Sequence, residues 1–170
     1  MSERQEDSAA NLSIRPAMAD DAELLWHWAN DASVRERSFN PELIAWESHL
    51  DWFSQRLISP DTRFYLLLKN GEPIGQIRYD RDISKTAAEI SFSIEHGHRG
   101  KGLGTEILRL TREHALHDLN CGSITALVIE GNEASHKAFV RAGFTNDGLT
   151  EIRGRIAARF IWRSSKKEKL

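Results

Sequence analysis

The sequence predicts an α/β (α+β) fold, a single domain with one mixed central sheet. Three observations predict this class. The chain has 170 residues, a length typical of one domain. Apolar and polar residues alternate in several short segments, as in strands, whereas apolar residues recur at helical spacing in several longer segments. The two kinds of segment are interspersed: a strand, two helices, three strands, a helix, a strand, a helix and the final strands.

The first third of the chain is predicted to form one strand and two helices. Alternation over residues 12–15 indicates a short strand. Two aspartates begin a helix over 20–30, and a loop over 31–41 follows. The second helix ends at the Pro-Asp pair 60–61. Its predicted buried stripe consists of Leu43, Trp46, Leu50, Phe53 and Leu57.

The middle of the chain is predicted to form three strands. Residues 64–69 and 73–79 form two of them. Asn70-Gly71 between them is the strongest short hairpin signal in the sequence, because both residues tolerate a positive φ. Residues 88–95 form the third strand. One of its faces carries Ile90, Phe92 and Ile94.

The last part of the chain is predicted to form a helix, a strand, a helix and a closing hairpin. The first helix extends to about residue 119, with a buried stripe of Leu103, Ile107 and Leu110. Residues 124–129 are almost wholly apolar, as expected of a strand that is covered on both faces. Residues 132–142 form a short helix that Gly143 ends, and residues 145–162 form the hairpin.

The composition excludes several classes of protein. Apolar residues make up 40% and charged residues 28% of the chain, and its net charge of −2 predicts neither a nucleic-acid nor a membrane partner. Cys121 is the single cysteine, so no intramolecular disulfide can form, and a cytoplasmic location is expected. Residues 1–10 are polar and acidic, unlike a signal peptide, and are predicted to be disordered. The folded domain is predicted to span residues 11–163, before a polar tail over 164–170.

The strongest functional signal is the glycine-rich segment after the strand 88–95. Glycines alternate at Gly100, Gly102 and Gly104, where a helix begins. The first amides of a helix lack internal partners and carry partial positive charge, so they can hold a pyrophosphate. A turn without a ligand is the alternative. The third glycine comes one residue too early for a dinucleotide-binding loop, and the Gly-Lys-Ser/Thr triplet of a Walker loop is missing.

Two stretches resemble the GCN5-related N-acetyltransferase (GNAT) family. Its acetyl-CoA motif is arginine or glutamine, two residues, glycine, any residue, then glycine or alanine, which Arg99, Gly102 and Gly104 match. Segment 132–144 resembles the family's later helix at Asn132, Ser135, Phe139 and Gly143. The resemblance implies an N-acetyltransferase that uses acetyl-CoA as co-substrate and no metal. It also implies a GNAT-type fold, a mostly antiparallel sheet flanked by helices on both faces.

The resemblance also implies where acetyl-CoA binds. The backbone of Phe92, Ser93 and Ile94 would pair with pantetheine like an added strand, and the Ile94 amide would stabilise the oxyanion of the thioester. Asn132 would hydrogen-bond the pantetheine, and its alternative role is a helix N-cap. The pyrophosphate would be held by the backbone amides of Arg99, Gly100, Lys101, Gly102, Leu103, Gly104 and Thr105.

Two residues are candidates for the general base in the family's reaction, a direct attack of an amine on the thioester. Glu89 shares a strand face with Ser91 and Ser93, and a polar face on an interior strand suggests a cavity. It matches a family glutamate that acts as a base or holds a relaying water, and a structural ion pair is its alternative role. His49 either faces the acceptor site or is a solvated or packing histidine.

One residue departs from the family pattern. Many relatives have a tyrosine as general acid where this chain has Phe139, and phenylalanine cannot donate a proton. The thiolate then leaves unaided or with help from a group such as Ser135. A CoA-binding module without catalysis is therefore a further alternative, against which Glu89 and the complete glycine-rich motif argue.

The aromatic-rich first third is expected to bind the acceptor, a small-molecule amine. It is similar to acetyltransferases that act on UDP-linked amino sugars in pseudaminic acid biosynthesis. Arg35 and Asn40 would contact phosphate or sugar hydroxyls, with a surface ion pair to Glu36 as the alternative for Arg35. Phe39 belongs to the same set, and Trp52, which falls off the predicted stripe, would form a pocket wall. Acetylation of protein N-termini, as by ribosomal-protein acetyltransferases, is the second candidate. Relatives commonly dimerise through late strands, so a homodimer is a candidate assembly.

Overall fold

The computed structural model of the protein describes residues 11–165. The predicted disordered segment 1–10 and residues 166–170 of the predicted tail lie outside this range. The strands and helices are β1 (Leu12–Pro16), α1 (Ala22–Ala29), α2 (Ala32–Glu36), α3 (Trp46–Ile58), β2 (Thr62–Lys69), β3 (Glu72–Arg81), β4 (Ala87–Ile94), α4 (Leu103–Asp118), β5 (Ser123–Ile129), α5 (Glu133–Arg141), β6 (Thr145–Ile152) and β7 (Arg155–Trp162).

The strands form one sheet in the order β1-β2-β3-β4-β5-β7-β6. Neighbouring strands are antiparallel, except that β4 and β5 run parallel. A parallel pair needs a long crossover, and α4 supplies it. The predicted mixed and mostly antiparallel sheet is confirmed, as is the hairpin at Asn70-Gly71 that joins β2 to β3.

Alternate residues of β2 show that helices cover both faces of the sheet. Phe64 and Leu66 pack with α1 and with Phe53 of α3 in one apolar cluster. Tyr65 and Leu67 point the other way, into the larger core that α4 and α5 complete. Successive side chains of a strand point to opposite faces, so the two clusters lie on opposite sides of the sheet. The predicted flanking by helices on both faces is confirmed.

The predicted stripe of α3 was wrong at two positions. Leu43 lies before the helix and is 78% exposed, and Leu50 is 40% exposed. His49, at 3% exposure, takes the buried position beside Phe53. Its Nε2 lies 2.8 Å from the carbonyl oxygen of Ala22 in α1. This hydrogen bond satisfies the ring inside the protein, and a satisfied polar side chain can be buried.

Two smaller differences occur elsewhere. Leu110 of the predicted α4 stripe is 36% exposed, because the helix turns Leu108 and Thr111 towards the sheet instead. The predicted loop 31–41 contains the short helix α2. Its N-cap is Asp31, whose carboxylate accepts hydrogen bonds from backbone amides of the first turn.

Candidate active site

A cleft of about 990 Å³ opens where β4 and β5 separate. The two strands pair over residues 87–90 of β4, although β4 continues to Ile94. Within the described chain, residues 91–94 have no partner on β5. Phe92 and Ser93 point to opposite faces of the sheet, and both line the cleft. The cleft therefore passes between the strands, from one side of the sheet to the other.

The glycine-rich segment lines the cleft at the start of α4. Gly100 and Gly102 both have a φ of +76°, a left-handed conformation that favours glycine. Gly102 is the N-cap, and no side chain among residues 11–165 caps the helix, so its first amides can bind an anion. At Gly104 the constraint is space, because a Cβ would lie 3.1 Å from Phe92 and 3.3 Å from Ala138. The segment therefore suits a phosphate that approaches the backbone closely.

Arg99 joins the glycine-rich segment to two other walls of the cleft. Its Nε donates to the carbonyl oxygen of Ile94, at the end of β4, over 2.8 Å. One terminal nitrogen donates to the hydroxyl of Ser33, and the other lies 3.6 Å from the carboxylate of Asp31, at the start of α2. Lys101, by contrast, is exposed and does not line the cleft.

A polar face crosses β3 and β4 beside the cleft. In the strand register, Glu89, Ser91 and Ser93 lie opposite Asp80, Arg78 and Gln76, respectively. The amide nitrogen of Gln76 donates to the hydroxyl of Ser93 over 3.1 Å. Its amide oxygen is buried and has no hydrogen-bond partner among the described residues. The predicted polar strand face therefore does line a cavity.

Glu89 lines the cleft, where its side chain remains partly open to solvent. Burial there raises the pKa of Glu89 above the ordinary glutamate value, and the negative charge of Asp80 acts in the same direction. The charges of Arg78 and Arg159 oppose this shift. No described residue forms an ion pair with Glu89 within 4 Å, so the alternative of a structural ion pair is not seen. A carboxylate with a raised pKa is well suited to accept a proton near neutral pH.

His49 reaches the cleft but is bonded on its far side. A carbonyl oxygen can only accept, so the contact with Ala22 places a proton on Nε2. The ring stacks on Phe53, with centroids 5.8 Å apart and planes 9° apart. Burial lowers the pKa of His49, which keeps the ring neutral. Of the two roles left open by the sequence, this environment favours packing.

The start of α5 brings three of the predicted residues to the cleft. The side-chain oxygen of Asn132 accepts from the backbone amide of Ser135 over 3.4 Å, so Asn132 is a helix N-cap as well as a cleft residue. Ser135 lines the cleft one turn along the helix. Phe139 is 3% exposed and stacks on Phe160 at 5.5 Å. Its ring also contacts Phe92 edge to face, at 5.5 Å.

Arg35 organises the loop between α1 and α3. Its guanidinium donates to the hydroxyl of Ser38 over 3.1 Å. It also donates to the backbone carbonyl oxygens of Ala29, Asn40 and Glu42. The alternative ion pair with Glu36 is absent from the described contacts of Arg35. Arg35 lines the cleft, but most of its donors are used to hold the loop.

The other predicted acceptor residues are divided between the cleft and the surface. Phe39 and Trp52 line the cleft. Asn40 is exposed and does not line it, because its side chain turns back to accept from the backbone amide of Glu42. The placement of Asn40 thus gives no support to its predicted contact with substrate.

The cleft residues that the sequence analysis missed include Gln76, Arg78 and Arg37. A signal for two of them was available. Residues 76–80 of β3 read Gln-Ile-Arg-Tyr-Asp, an alternation that predicts one polar face. The register then places that face beside the polar face of β4. Nothing in the sequence around Arg37 indicates its position.

The charges that line the cleft are mostly positive. Among the described residues, Glu89 is the one lining carboxylate. The lining arginines and lysine are Arg35, Arg37, Arg78, Arg99, Lys137 and Arg141.

None of the helices in residues 11–165 combines the length and the apolar character needed to cross a membrane. Nor do these residues bring together three or more His, Cys, Asp or Glu side chains in an arrangement that can hold a metal ion.

Comparison with known proteins agrees with the geometry of the cleft. The family model described as Acetyltransferase (GNAT) domain matches residues 11–145. A protein named Probable N-acetyltransferase YjcK, from Bacillus subtilis (strain 168), is 32% identical over 75 residues, which span 44% of this chain and 40% of that protein.

Solved structures of acetyltransferases share the fold. One is AAC(6')-Ib in complex with ribostamycin and coenzyme A, with a TM-score of 0.78, 19% identity and coverage of 90% of this chain and 93% of that one. Another is spermidine N-acetyltransferase from Vibrio cholerae in complex with CoA and spermine, with a TM-score of 0.79, 17% identity and coverage of 91% and 96%. The family match, the splayed strands and the uncapped glycine-rich helix start lead to one conclusion. The chain belongs to the GNAT family of acetyl-CoA-dependent acetyltransferases.

Proposed function

We propose that the protein transfers the acetyl group of acetyl-CoA to the amine of a UDP-linked amino sugar. The observation that carries this choice is the charge on the acceptor side of the cleft, where Arg35, Arg37 and Arg78 accompany Glu89, the one lining carboxylate among the described residues. The two solved relatives hold ribostamycin and spermine, which are polycations. A positively charged cleft repels such acceptors and attracts one that carries phosphate groups.

In this proposal, backbone groups hold acetyl-CoA. Residues 92–94 bind the pantetheine along the edge that β5 leaves open. The amides of segment 99–105 bind the pyrophosphate at the uncapped start of α4. Asn132 lines the same cleft and contributes its side-chain amide to the pantetheine. Held in this way, the thioester lies beside the polar face of β4.

The reaction is a direct transfer. The acceptor nitrogen forms a bond to the acetyl carbonyl carbon, and the carbon–sulfur bond of the thioester breaks. The nitrogen loses its proton to Glu89, whose raised pKa makes it a stronger base. The amide of Ile94 stabilises the oxyanion, and one such donor contributes about 3 kcal/mol.

The leaving thiolate has no tyrosine to protonate it. Phe139 occupies that position and is packed among aromatic rings. Ser135, which lines the cleft on the same helix, donates a hydrogen bond to the thiolate, and solvent then supplies the proton. The acceptor ring lies between Phe39 and Trp52, while Arg35 holds the loop behind them.

A thiol-release assay tests the function. Purified protein and acetyl-CoA are incubated with a UDP-linked amino sugar, a short peptide with a free N-terminus, or spermidine. We expect kcat/KM for the UDP-linked amino sugar to exceed that for spermidine by at least about 100-fold. Turnover of the peptide alone would assign protein N-terminal acetylation instead. Calorimetric binding of acetyl-CoA without turnover of any amine would assign a non-catalytic CoA-binding module.

A further inference from the structure

Arg78 is held in one orientation on the acceptor side of the cleft. Its Nε donates to a carboxylate oxygen of Asp80 over 2.5 Å. Its guanidinium carbon lies 4.8 Å from the centre of the Trp52 ring and 6.0 Å from that of Phe64. A guanidinium that is stacked on an aromatic face and bonded through Nε has little freedom left to lose when it binds a ligand.

The two terminal nitrogens of Arg78 have no hydrogen-bond partner among the described residues. Asp80 occupies the Nε position of the guanidinium, and Arg78 itself lines the cleft. The terminal nitrogens form a planar fork of N–H groups, the geometry that binds a carboxylate or a phosphate through two parallel hydrogen bonds. Arg78 is therefore a preorganised donor without an acceptor.

Asp80 does not cancel the positive charge at this position. Its other carboxylate oxygen lies 3.5 Å from a terminal nitrogen of Arg56 and accepts from the hydroxyl of Thr62 over 2.8 Å. Two arginines thus share one carboxylate. Arg56 does not line the cleft, whereas Arg78 does, with Glu89 as the carboxylate that shares this face and whose pKa the charge of Arg78 lowers.

The register of the sheet places Arg78 within reach of the reacting amine. Arg78 lies opposite Ser91, midway between Glu89 and Ser93 on the polar face. Strands rise about 3.3 Å per residue, so Ser91 is about 7 Å from each of these residues. An acceptor whose amine lies at Glu89 can therefore place another substituent against Arg78.

We propose that Arg78 binds an oxyanion of the acceptor, a phosphate or a carboxylate, through its two terminal nitrogens. Trp52 and Asp80 hold the guanidinium in place for this contact. The inference rests on the proposed transfer to a small acceptor amine in this cleft, and it names the chemical group which that acceptor must carry.

Steady-state kinetics of R78Q test the inference, with R56Q as the matched control. Both variants remove one arginine from Asp80, but only R78Q removes a guanidinium that lines the cleft. The three acceptors are a UDP-linked amino sugar, the same amino sugar without the nucleotide, and an α-amino acid.

The wild type identifies which of the acceptors that carry an oxyanion is a substrate. For that substrate, we expect R78Q to raise KM by about 10- to 100-fold, because the variant loses a charge-assisted pair of hydrogen bonds. R56Q should change KM by less than about threefold, because Arg56 does not line the cleft and its ion pair is partly exposed. R78K should recover only part of the loss, since an ammonium lacks the planar fork. The affinity for acetyl-CoA, measured by calorimetry, should be the same in all three variants as in the wild type. This result would show that the fold is intact.

The outcomes separate this inference from the proposed function. If the amino acid is the acceptor used and R78Q raises its KM, the UDP-sugar function fails while the role of Arg78 stands. If the UDP-linked amino sugar is acetylated with the same KM by R78Q and wild type, the function stands and the inference is overturned. The inference would also be overturned if R78Q raised KM equally for acceptors with and without an oxyanion. Arg78 would then act only on the structure of the cleft.

Discussion

The two halves of the cleft are built from different parts of the polypeptide. In the half proposed for acetyl-CoA, the groups that would bind it are the amides of segment 99–105 and the open edge of residues 92–94. In the half proposed for the acceptor, they would be the side chains of Glu89, Arg78 and Trp52. A site made of backbone amides is kept as long as the chain follows the same path and keeps a few glycines. A site made of side chains changes with each substitution. Solved relatives at 17–19% identity accordingly share the fold, yet two of them hold acceptors as different as ribostamycin and spermine.

The largest effect is expected in the backbone half. Gly102→Val places a β-branched residue at a φ of +76°. The chain must leave this conformation, which turns the first amides of α4 away from the cleft. We expect calorimetry to detect no binding of acetyl-CoA.

Gly154→Val is the matched control for this variant. Gly154 has a φ of +75° in the turn between β6 and β7, and it does not line the cleft. The strain in the two variants should be similar, about 1–2 kcal/mol. We expect G154V to lower the thermal midpoint while it keeps acetyl-CoA binding. Loss of binding in both variants would mean that instability, and not the local backbone, explains the result for G102V.

In the acceptor half, the strongest effect on the chemical step is expected from Glu89→Gln. Removing a general base costs about 10²- to 10⁴-fold in rate, so kcat should fall by this amount while the affinity for acetyl-CoA stays the same. Rapid-quench or thiol-release kinetics measure the change. An unchanged kcat would remove Glu89 as the base.

The raised pKa of Glu89 predicts how the activity of the enzyme depends on pH. Glu89 must be deprotonated to act, and its pKa is raised by burial and by Asp80. The acidic limb of the kcat/KM profile should therefore lie above the ordinary glutamate value, with activity lost as pH falls through it. Arg159 lowers this pKa, so R159Q should move the limb to higher pH. A shift in the opposite direction would contradict the assignment.

A smaller effect is expected from Ser135→Ala. If the hydroxyl stabilises the leaving thiolate, kcat should fall by about 10-fold, because a hydrogen bond to a charged group contributes about 1.5 kcal/mol. The N-cap stays intact, because Asn132 accepts from the backbone amide of residue 135. Acetyl-CoA affinity and thermal midpoint serve as controls. An unchanged rate would show that the thiolate leaves unaided.

The smallest effect is expected from His49→Gln. Glutamine keeps an N–H donor for the carbonyl of Ala22 but has no basic ring nitrogen. We expect kcat within about twofold of wild type, because a packing histidine takes no part in proton transfer. His49→Leu removes the hydrogen bond between Nε2 and the carbonyl of Ala22 and should lower the free energy of unfolding by about 0.5–1.5 kcal/mol. A large fall in kcat for H49Q alone, with stability unchanged, would instead place His49 in catalysis.

The backbone half could be predicted from the sequence because its signal is local. Arg99, Gly102 and Gly104 lie within six residues, and their spacing fixes both the turn and the helix start. Arg78 could not be found in this way. Its role depends on the pairing of β3 with β4 and on the packing of Trp52 over the sheet, and both bring together residues that are far apart in the chain.

Errors in the first third have a similar origin. Periodicity ranked Leu50 above His49 as a buried residue, because hydrophobicity alone does not show that Ala22 offers an acceptor. The similarity to acetyltransferases of UDP-linked amino sugars implied that Asn40 contacts the substrate. The structure instead places it beside the cleft, where the loop bonds internally. Arg35 and Trp52 are both half-buried: Arg35 donates to the carbonyl oxygen of Ala29, and the Trp52 ring contacts the guanidinium of Arg78.

The short pairing of β4 with β5 has a consequence for the cohesion of the fold. Among residues 11–165, strand pairing joins β1–β4 to β5–β7 only through the pairs from Ala87↔Ser123 to Ile90↔Ala126. A pantetheine arm that bonds to residues 91–94 would add contacts along this seam, so the substrate would serve as part of the tertiary structure while it is bound. Because a ligand that binds only the folded state stabilises it, the empty protein should open first along this seam and be held closed by acetyl-CoA.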